Sequence, residues 1–274
     1  MPSNLLLLLP LLSGYAFIHL CYGTRYRAQA LSGHRLIFEA SIAGLLWLIP
    51  ARLFVIGGAA FLANTGHLSQ YWNNWRKITG DTDFVGTLCI ALVLAPVCAV
   101  VWNRGRGWWL QRGFDGKSPE WLPPEENRGE ARHTSLEVYR AYALNKAIQN
   151  SGNELLILLH EAAIRARSEE RLAAQFLMKD GKVYVGWIQR SPNLSSDDQY
   201  VPVCPTMSGF RDSQTKKVYF TTSYPVEAYD DPGFHLGEKD FRVVLPVSEI
   251  VGVRLFDEQL YLAYFFEDED ENLS

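Results

Sequence analysis

The stretch IFEASIAGLLWLIPARLFVIGGAAFL, residues 37–62, decides the architecture. At 1.5 Å rise per residue, a helix of this length crosses a hydrocarbon layer of about 30 Å. Two further apolar stretches, Leu5–Cys21 and Val85–Trp102, lie on either side of it, and a basic, Trp-rich segment follows the last. The rest of the 274 residues reads as water-soluble, with room for one compact domain. The expectation is a membrane α-helical N-terminal region of three transmembrane helices (about 5–21, 37–62 and 85–102) followed by a cytoplasmic α+β domain. Leu5–Leu12 also resembles the apolar core of a signal peptide, but Met1-Pro-Ser-Asn4 carries no Lys or Arg, which favours an anchor.

Charge sets the expected orientation. Arg25, Arg27 and Arg35 follow the first span, and Arg104, Arg106, Arg112 and Lys117 follow the third. The connection His67–Phe84 has only Arg76 and Lys77, offset by Asp81 and Asp83. Basic residues gather on the cytoplasmic side, so the N-terminus is expected outside and the C-terminal domain in the cytoplasm of a multi-pass inner (plasma) membrane protein. Tyr71, Trp72 and Trp75 fit one interface and Trp102, Trp108 and Trp109 the other.

The middle span carries Pro50-Ala51-Arg52. An Arg at mid-bilayer costs about 2.5–3.5 kcal/mol on insertion scales, which something must offset. The candidate intramembrane polar site is Arg52, Pro50 and His19. It serves either as a polar cavity between helices or, more simply, as a bent or re-entrant segment in which Arg52 snorkels. Gly57-Gly58, beside Ala59 and Ala60, is the expected face for close helix packing or self-association.

Residues 103–132 read as a Pro- and Gly-containing linker whose front end, Arg104, Arg106, Trp108, Trp109 and Arg112, is the candidate headgroup contact. Residues 133–171 read as a helical connector. Thr134-Ser-Leu-Glu137 has capping-box spacing and opens a helix to about Gln149; Ser151-Gly-Asn-Glu154 opens a second to about Glu170. His160-Glu161 lacks the second His of a zinc-protease helix, because the position four residues after His160 is Ile164.

From residue 172 the period becomes that of strands, and residues 172–266 read as a small β-barrel domain. Ala174–Lys179 and Val183–Arg190 flank Lys179-Asp-Gly-Lys182, a hairpin turn in which Gly supplies the positive φ. Gly186 marks a bend. Tyr200–Cys204, Val218–Thr222, Phe241–Leu245 and Val251–Phe256 complete the strands, the last two separated by one short turn of helix; Ser208–Asp212 reads as a turn.

This order resembles an Sm-like or SH3-like small β-barrel. With the N-terminal helices, the layout resembles uncharacterised bacterial inner-membrane proteins whose cytoplasmic barrel carries a Leu-x-x-Asp-Gly-x-x-Tyr-x-Gly signature, matched here by Leu177–Gly186 with Asp180, Gly181, Tyr184 and Gly186. The resemblance implies a small five-stranded antiparallel barrel preceded by helices. It does not extend to RNA: Leu245-Pro-Val-Ser-Glu249, where Sm proteins read RNA, has no stacking aromatic, Asn or cation.

The net charge of −4 gives no whole-chain case for nucleic acid, and four cysteines without a CxxC pair give none for a disulfide framework or a zinc site. Asp230, Asp231 and His235 lack metal-ligand spacing, and the acidic residues 267–271 read as a solvated tail. No catalytic constellation, metal site or cofactor is readable. The expected function is therefore a non-enzymatic membrane-anchored scaffold or sensor. Its partners are the lipid bilayer and, at the cytoplasmic face, a second copy or another protein. The alternatives are an oligomeric channel or pore-forming effector built around Arg52, Pro50 and Gly57-Gly58, and an enzyme whose site is assembled from distant residues.

Overall fold

The computed structural model describes residues 8–29, 31, 33–64, 83–113, 119, 121–122, 133–167, 172–192, 200–224 and 240–264. The chain divides into two units, Met1–Asp115 with His133–Leu144, and Gly116–Arg132 with Asn145–Ser274. Tyr71–Lys77, Glu170, Asp230, Asp231, His235 and the acidic run 267–271 lie outside the described residues.

The first unit holds α1 (Leu8–Leu20), α2 (Tyr22–Gln29), α3 (Gly33–Asn64), α4 (Asp83–Arg112) and the start of α5 (Ser135–Gln149). Among the described residues, two helices are long and apolar enough to cross a membrane, over Gly33–Gly58 and Phe84–Arg112; the described part of α1 is apolar but shorter. Only 22% and 33% of the apolar windows are buried, whereas a core helix of a water-soluble protein would be mostly covered. Leu45, Leu46, Ile49, Leu53 and Phe54 of α3 are exposed instead.

The re-entrant break weighed at Pro50 is not there, because α3 runs unbroken through Pro50-Ala51-Arg52. A helix-interior Pro removes one backbone hydrogen bond without requiring the helix to end. Helix α4 likewise continues past Trp102 to Arg112, so the front of the expected linker is helical.

Close packing occurs at glycines other than those expected. A methyl group on Gly14 would lie 1.9 Å from the Ala40 carbonyl oxygen, and one on Gly44 would lie 1.8 Å from that of Pro10. Helices α1 and α3 therefore cross almost backbone to backbone, with Ala40 fully buried between them. Gly57 and Gly58 face open space among the described residues. Helix α4 supplies a seam of Leu88, Ala91, Ala95 and Ala99, all fully buried at helical spacing.

The chain breaks between α1 and α2 at Cys21, and one side chain repairs the break. The buried Asn103 of α4 accepts from the Tyr22 N–H (3.1 Å) and donates to the Leu20 carbonyl (2.7 Å). Further along α4, Gly107 admits the chain at α5: a methyl there would lie 1.9 Å from the Ser135 carbonyl oxygen. The capping box forms, with Thr134 N–H donating to Glu137 (2.9 Å) and Glu137 N–H to the Thr134 hydroxyl (3.3 Å).

In the second unit, α6 (Glu154–Arg165) is capped by Asn153, whose side chain accepts from the Leu156 N–H. Ser151, the expected cap, instead donates its hydroxyl to the Ile148 carbonyl and closes the preceding helix. Helix α6 also stops at Arg165, short of the expected Glu170.

The strands are β1 (Ala173–Met178), β2 (Lys182–Ile188), β3 (Tyr200–Arg211), β4 (Val218–Ser223), β5 (Val243–Pro246) and β6 (Ile250–Phe256), with a 3₁₀ turn at Val247–Glu249 and a last helix α7 (Glu258–Tyr264). They form one antiparallel sheet in the order β4-β3-β2-β1-β6, and β5 pairs with the start of β3. The five-stranded barrel is thus corrected to six strands not closed into a barrel. Strand β3 is long enough for two partners on one edge, β5 beside Tyr200–Val203 and β4 beside Met207–Arg211. Ser208–Arg211, expected as a turn, belongs to β3. Gly209 lets β4 approach, since a methyl there would lie 1.9 Å from the Tyr219 carbonyl oxygen.

One sheet face carries Phe176, Ile188, Val201, Val203 and Leu245, which pack on Leu159, Ala162 and Ala163 of α6. On the other face, the edge strands bend toward one another without pairing. Phe220 of β4 meets Phe256 of β6 edge-on (centroids 6.1 Å apart), and Tyr261 of α7 touches both rings at 5.4 Å. Aromatic side chains occupy the seam where ladder hydrogen bonds would close a barrel.

Candidate functional site: a basic cleft beside the open seam

Beside those rings the sheet leaves a cleft of about 470 Å³. Its floor is Leu177, Val183 and Val218 with the buried Gln175, and Gly252 keeps one wall low. Cross-strand partners share a sheet face, and the pairs Gln175–Arg254, Leu177–Gly252 and Arg211–Val218 put these residues on the face away from α6. The rim is Arg211, Lys216 and Arg254. Among the described residues, three cations and no carboxylate line the cleft.

Each rim cation is held by a neutral partner. Arg254 donates its Nε–H to the Gln175 side-chain oxygen, and Arg211 its Nε–H to the Lys216 carbonyl (3.3 Å). Lys216 Nζ donates to the Ser213 carbonyl (2.6 Å). The terminal guanidinium nitrogens of Arg211 and Arg254 have no protein acceptor among the described residues, so both forks are positioned through Nε with outer donors unfilled. The nearest acid in sequence, Asp212, accepts from the backbone N–H groups of Thr215 and Gln214 and from the Thr215 hydroxyl. The Thr215 backbone bond, above all, holds its carboxyl below the usual carboxylate range. All three of these bonds fall on Oδ1.

Lys216 has φ 62°, among the described residues the only non-glycine with a positive φ. An L-residue in this region costs roughly 1–2 kcal/mol, which Gly would avoid.

The remaining expected sites are placed as follows. The hairpin signature is structural: Gly181 has φ 85°, Asp180 accepts from the Lys182 N–H (2.9 Å), and Tyr184 packs on the α6-side core. Gly186 brings β3 close, a methyl there falling 2.2 Å from the Cys204 carbonyl oxygen. Arg52 and His19 are not brought together. Gly44 lies against Pro10, and Arg52 and His19 lie eight and nine residues away in opposite directions along antiparallel helices, roughly 25 Å apart by helical rise. Arg52 and Pro50 sit on the continuous α3, with Arg52 on its exposed side. Of the candidate headgroup residues, Arg112 stacks over Trp108 (3.6 Å) and Arg106 over Trp109 (5.2 Å), with both rings more than half exposed and Arg104 exposed beside them.

His160 is buried between Ser191 Oγ (2.9 Å from Nδ1) and Asn145 Oδ1 (3.2 Å from Nε2). The amide oxygen only accepts, so Nε2 carries the proton and Nδ1 accepts from the serine hydroxyl. Hydroxyl, imidazole and amide have the connectivity of a nucleophile relay. Burial, with Arg167 nearby, lowers the imidazole pKa to about 4, too low for an effective general base near neutrality. The trio therefore ties α5, α6 and the residues after β2 together. Because the folded pKa lies below the ordinary 6.5, the unfolded chain binds the extra proton between those values. Stability is full above about pH 6.5 and falls by about 3 kcal/mol as the pH drops toward 4. Denaturation midpoints across that window should show this slope, and His160→Gln should flatten it.

No His, Cys, Asp and Glu cluster able to hold a metal occurs among the described residues. Comparison of the chain with protein families, curated proteins and solved structures finds no match.

Proposed function

We propose that the chain is a membrane-anchored scaffold or sensor whose sheet domain receives a ligand or partner in the basic cleft. The observation that carries this reading is the exposure of apolar side chains along α3 and α4, which only lipid would cover without cost, in the same chain as a sheet unit with a charged, accessible cleft. Helix α1, with the apolar residues before it, is the third span. The basic residues after it and at the end of α4 favour a cytoplasmic sheet domain, with Trp108, Trp109 and their stacked Arg partners at the headgroups. In this reading the chain stands with the uncharacterised inner-membrane proteins that it resembles in layout. Arg52, on the exposed side of α3, snorkels to the interface.

Fractionation tests the reading. The chain should stay with membranes through carbonate extraction and leave only with detergent, and a reporter fused after Ser274 should be active in the cytoplasm. Release by carbonate, or a reporter active on the far side, would overturn it.

A further inference from the structure

We infer that the cleft rimmed by Arg211, Lys216 and Arg254 binds a phosphoryl group, carried on a body that rests against the apolar floor; this rests on the proposed binding role and names its ligand class. Three observations converge. Among the described residues the rim is uniformly cationic, and the neighbouring Asp212 turns its Oδ1 to the loop it caps. Both guanidinium groups are clamped through Nε, to Gln175 and to the Lys216 carbonyl, which pre-orients planar forks suited to an oxyanion. Lys216 takes its left-handed backbone from the tight β3–β4 turn, where its N–H donates to the Asp212 carbonyl, and that turn fixes where its ammonium stands on the rim. The floor of Leu177, Val183 and Val218 gives a bare ion nothing further to gain, so the ligand is a phosphate ester whose remainder covers those side chains.

A free phosphate monoester and the headgroup of an anionic phospholipid share this chemistry. The full chain in phosphatidylcholine nanodiscs, titrated with glycerol 3-phosphate, tests the first source. Discs containing phosphatidic acid, in which exogenous glycerol 3-phosphate no longer produces a signal, identify the second. Shifts of the Arg211 and Arg254 Nε–H resonances report occupancy. Binding should weaken with rising salt, and by about tenfold in Arg211→Gln or Arg254→Gln. Lys216→Gly separates the site from the fold, because it should melt no lower than the parent while binding more weakly. No shift with either source overturns the inference, as does undiminished binding in all three variants or an acidic peptide that binds and is not displaced by phosphate. If phosphate fails while the chain still resists carbonate extraction, the ligand class falls and the anchored reading stands; release from membranes fails that reading separately.

Discussion

Gly44→Leu should detach α1 from α3. The added side chain would have to pass through the Pro10 carbonyl oxygen, 1.8 Å from where its first carbon must sit. A flexible side chain could yield to such an intrusion, but the backbone of a packed helix cannot do so without moving the whole helix. Overpacking a tight contact costs about 1–3 kcal/mol, and more where only backbone is available to give way. The expected result is a loss of about 3 kcal/mol or more, read as a lower melting temperature of the detergent-solubilised chain. Gly57→Leu is the control, since Gly57 faces open space among the described residues and should be nearly silent. If Gly57→Leu proved the more damaging change, a second copy would be packing on that face and the Gly14–Gly44 crossing would not be the principal helix contact.

Phe176→Ala should be the most destabilising single truncation in the sheet unit. Phe176 is fully buried where β1 meets both α6 and the β2 and β6 strands beside it. Removing a buried Phe loses its transfer free energy and leaves a cavity, together about 3–5 kcal/mol. That is a large part of the 5–15 kcal/mol that a domain usually has. Pulse proteolysis of the full chain in denaturant should show the sheet unit opening at much lower concentration. Val251→Ala on β6, where the side chain is 62% exposed, should shift the midpoint by no more than about 0.5 kcal/mol. Comparable losses at both positions would mean that the α6-covered face is not the main core.

Features written in a few neighbouring residues were legible beforehand. The apolar stretches need only composition, the Thr134–Glu137 box only a spacing of three, and the Lys179–Lys182 turn only its Asp-Gly pair. The 3₁₀ turn after Pro246 follows from the same local logic. Where two local signals competed, the nearer competitor won: Asn153 took the cap expected of Ser151, because Ser151 was already engaged with the end of α5. The open sheet was not legible. Pairing of β5 with the first half of β3 joins segments on either side of β4 and a long insertion, and no local pattern encodes it. The cleft was invisible for the same reason, since Gln175 and Arg254 touch across 79 positions. Basic residues scattered at that distance read as ordinary surface until the strands align them. The glycines at the α1–α3 crossing, Gly14 and Gly44, lie in unrelated apolar contexts, whereas the adjacent pair Gly57-Gly58 forms a local small-residue pattern and packs against nothing described.

The amide of Asn103 makes completion of the α1–α2 corner a late event in the life of the chain. Leu20 and Tyr22 leave the ribosome with a carbonyl and an N–H that find this partner only 83 and 81 positions afterwards. Until α4 arrives, those two groups must be served by water or by other machinery, so the corner is provisional throughout the synthesis of α3. Asn103→Asp would remove the donor that Leu20 needs and put a carboxylate in a buried seam, leaving the first two helices without the tie that dates from the end of their assembly.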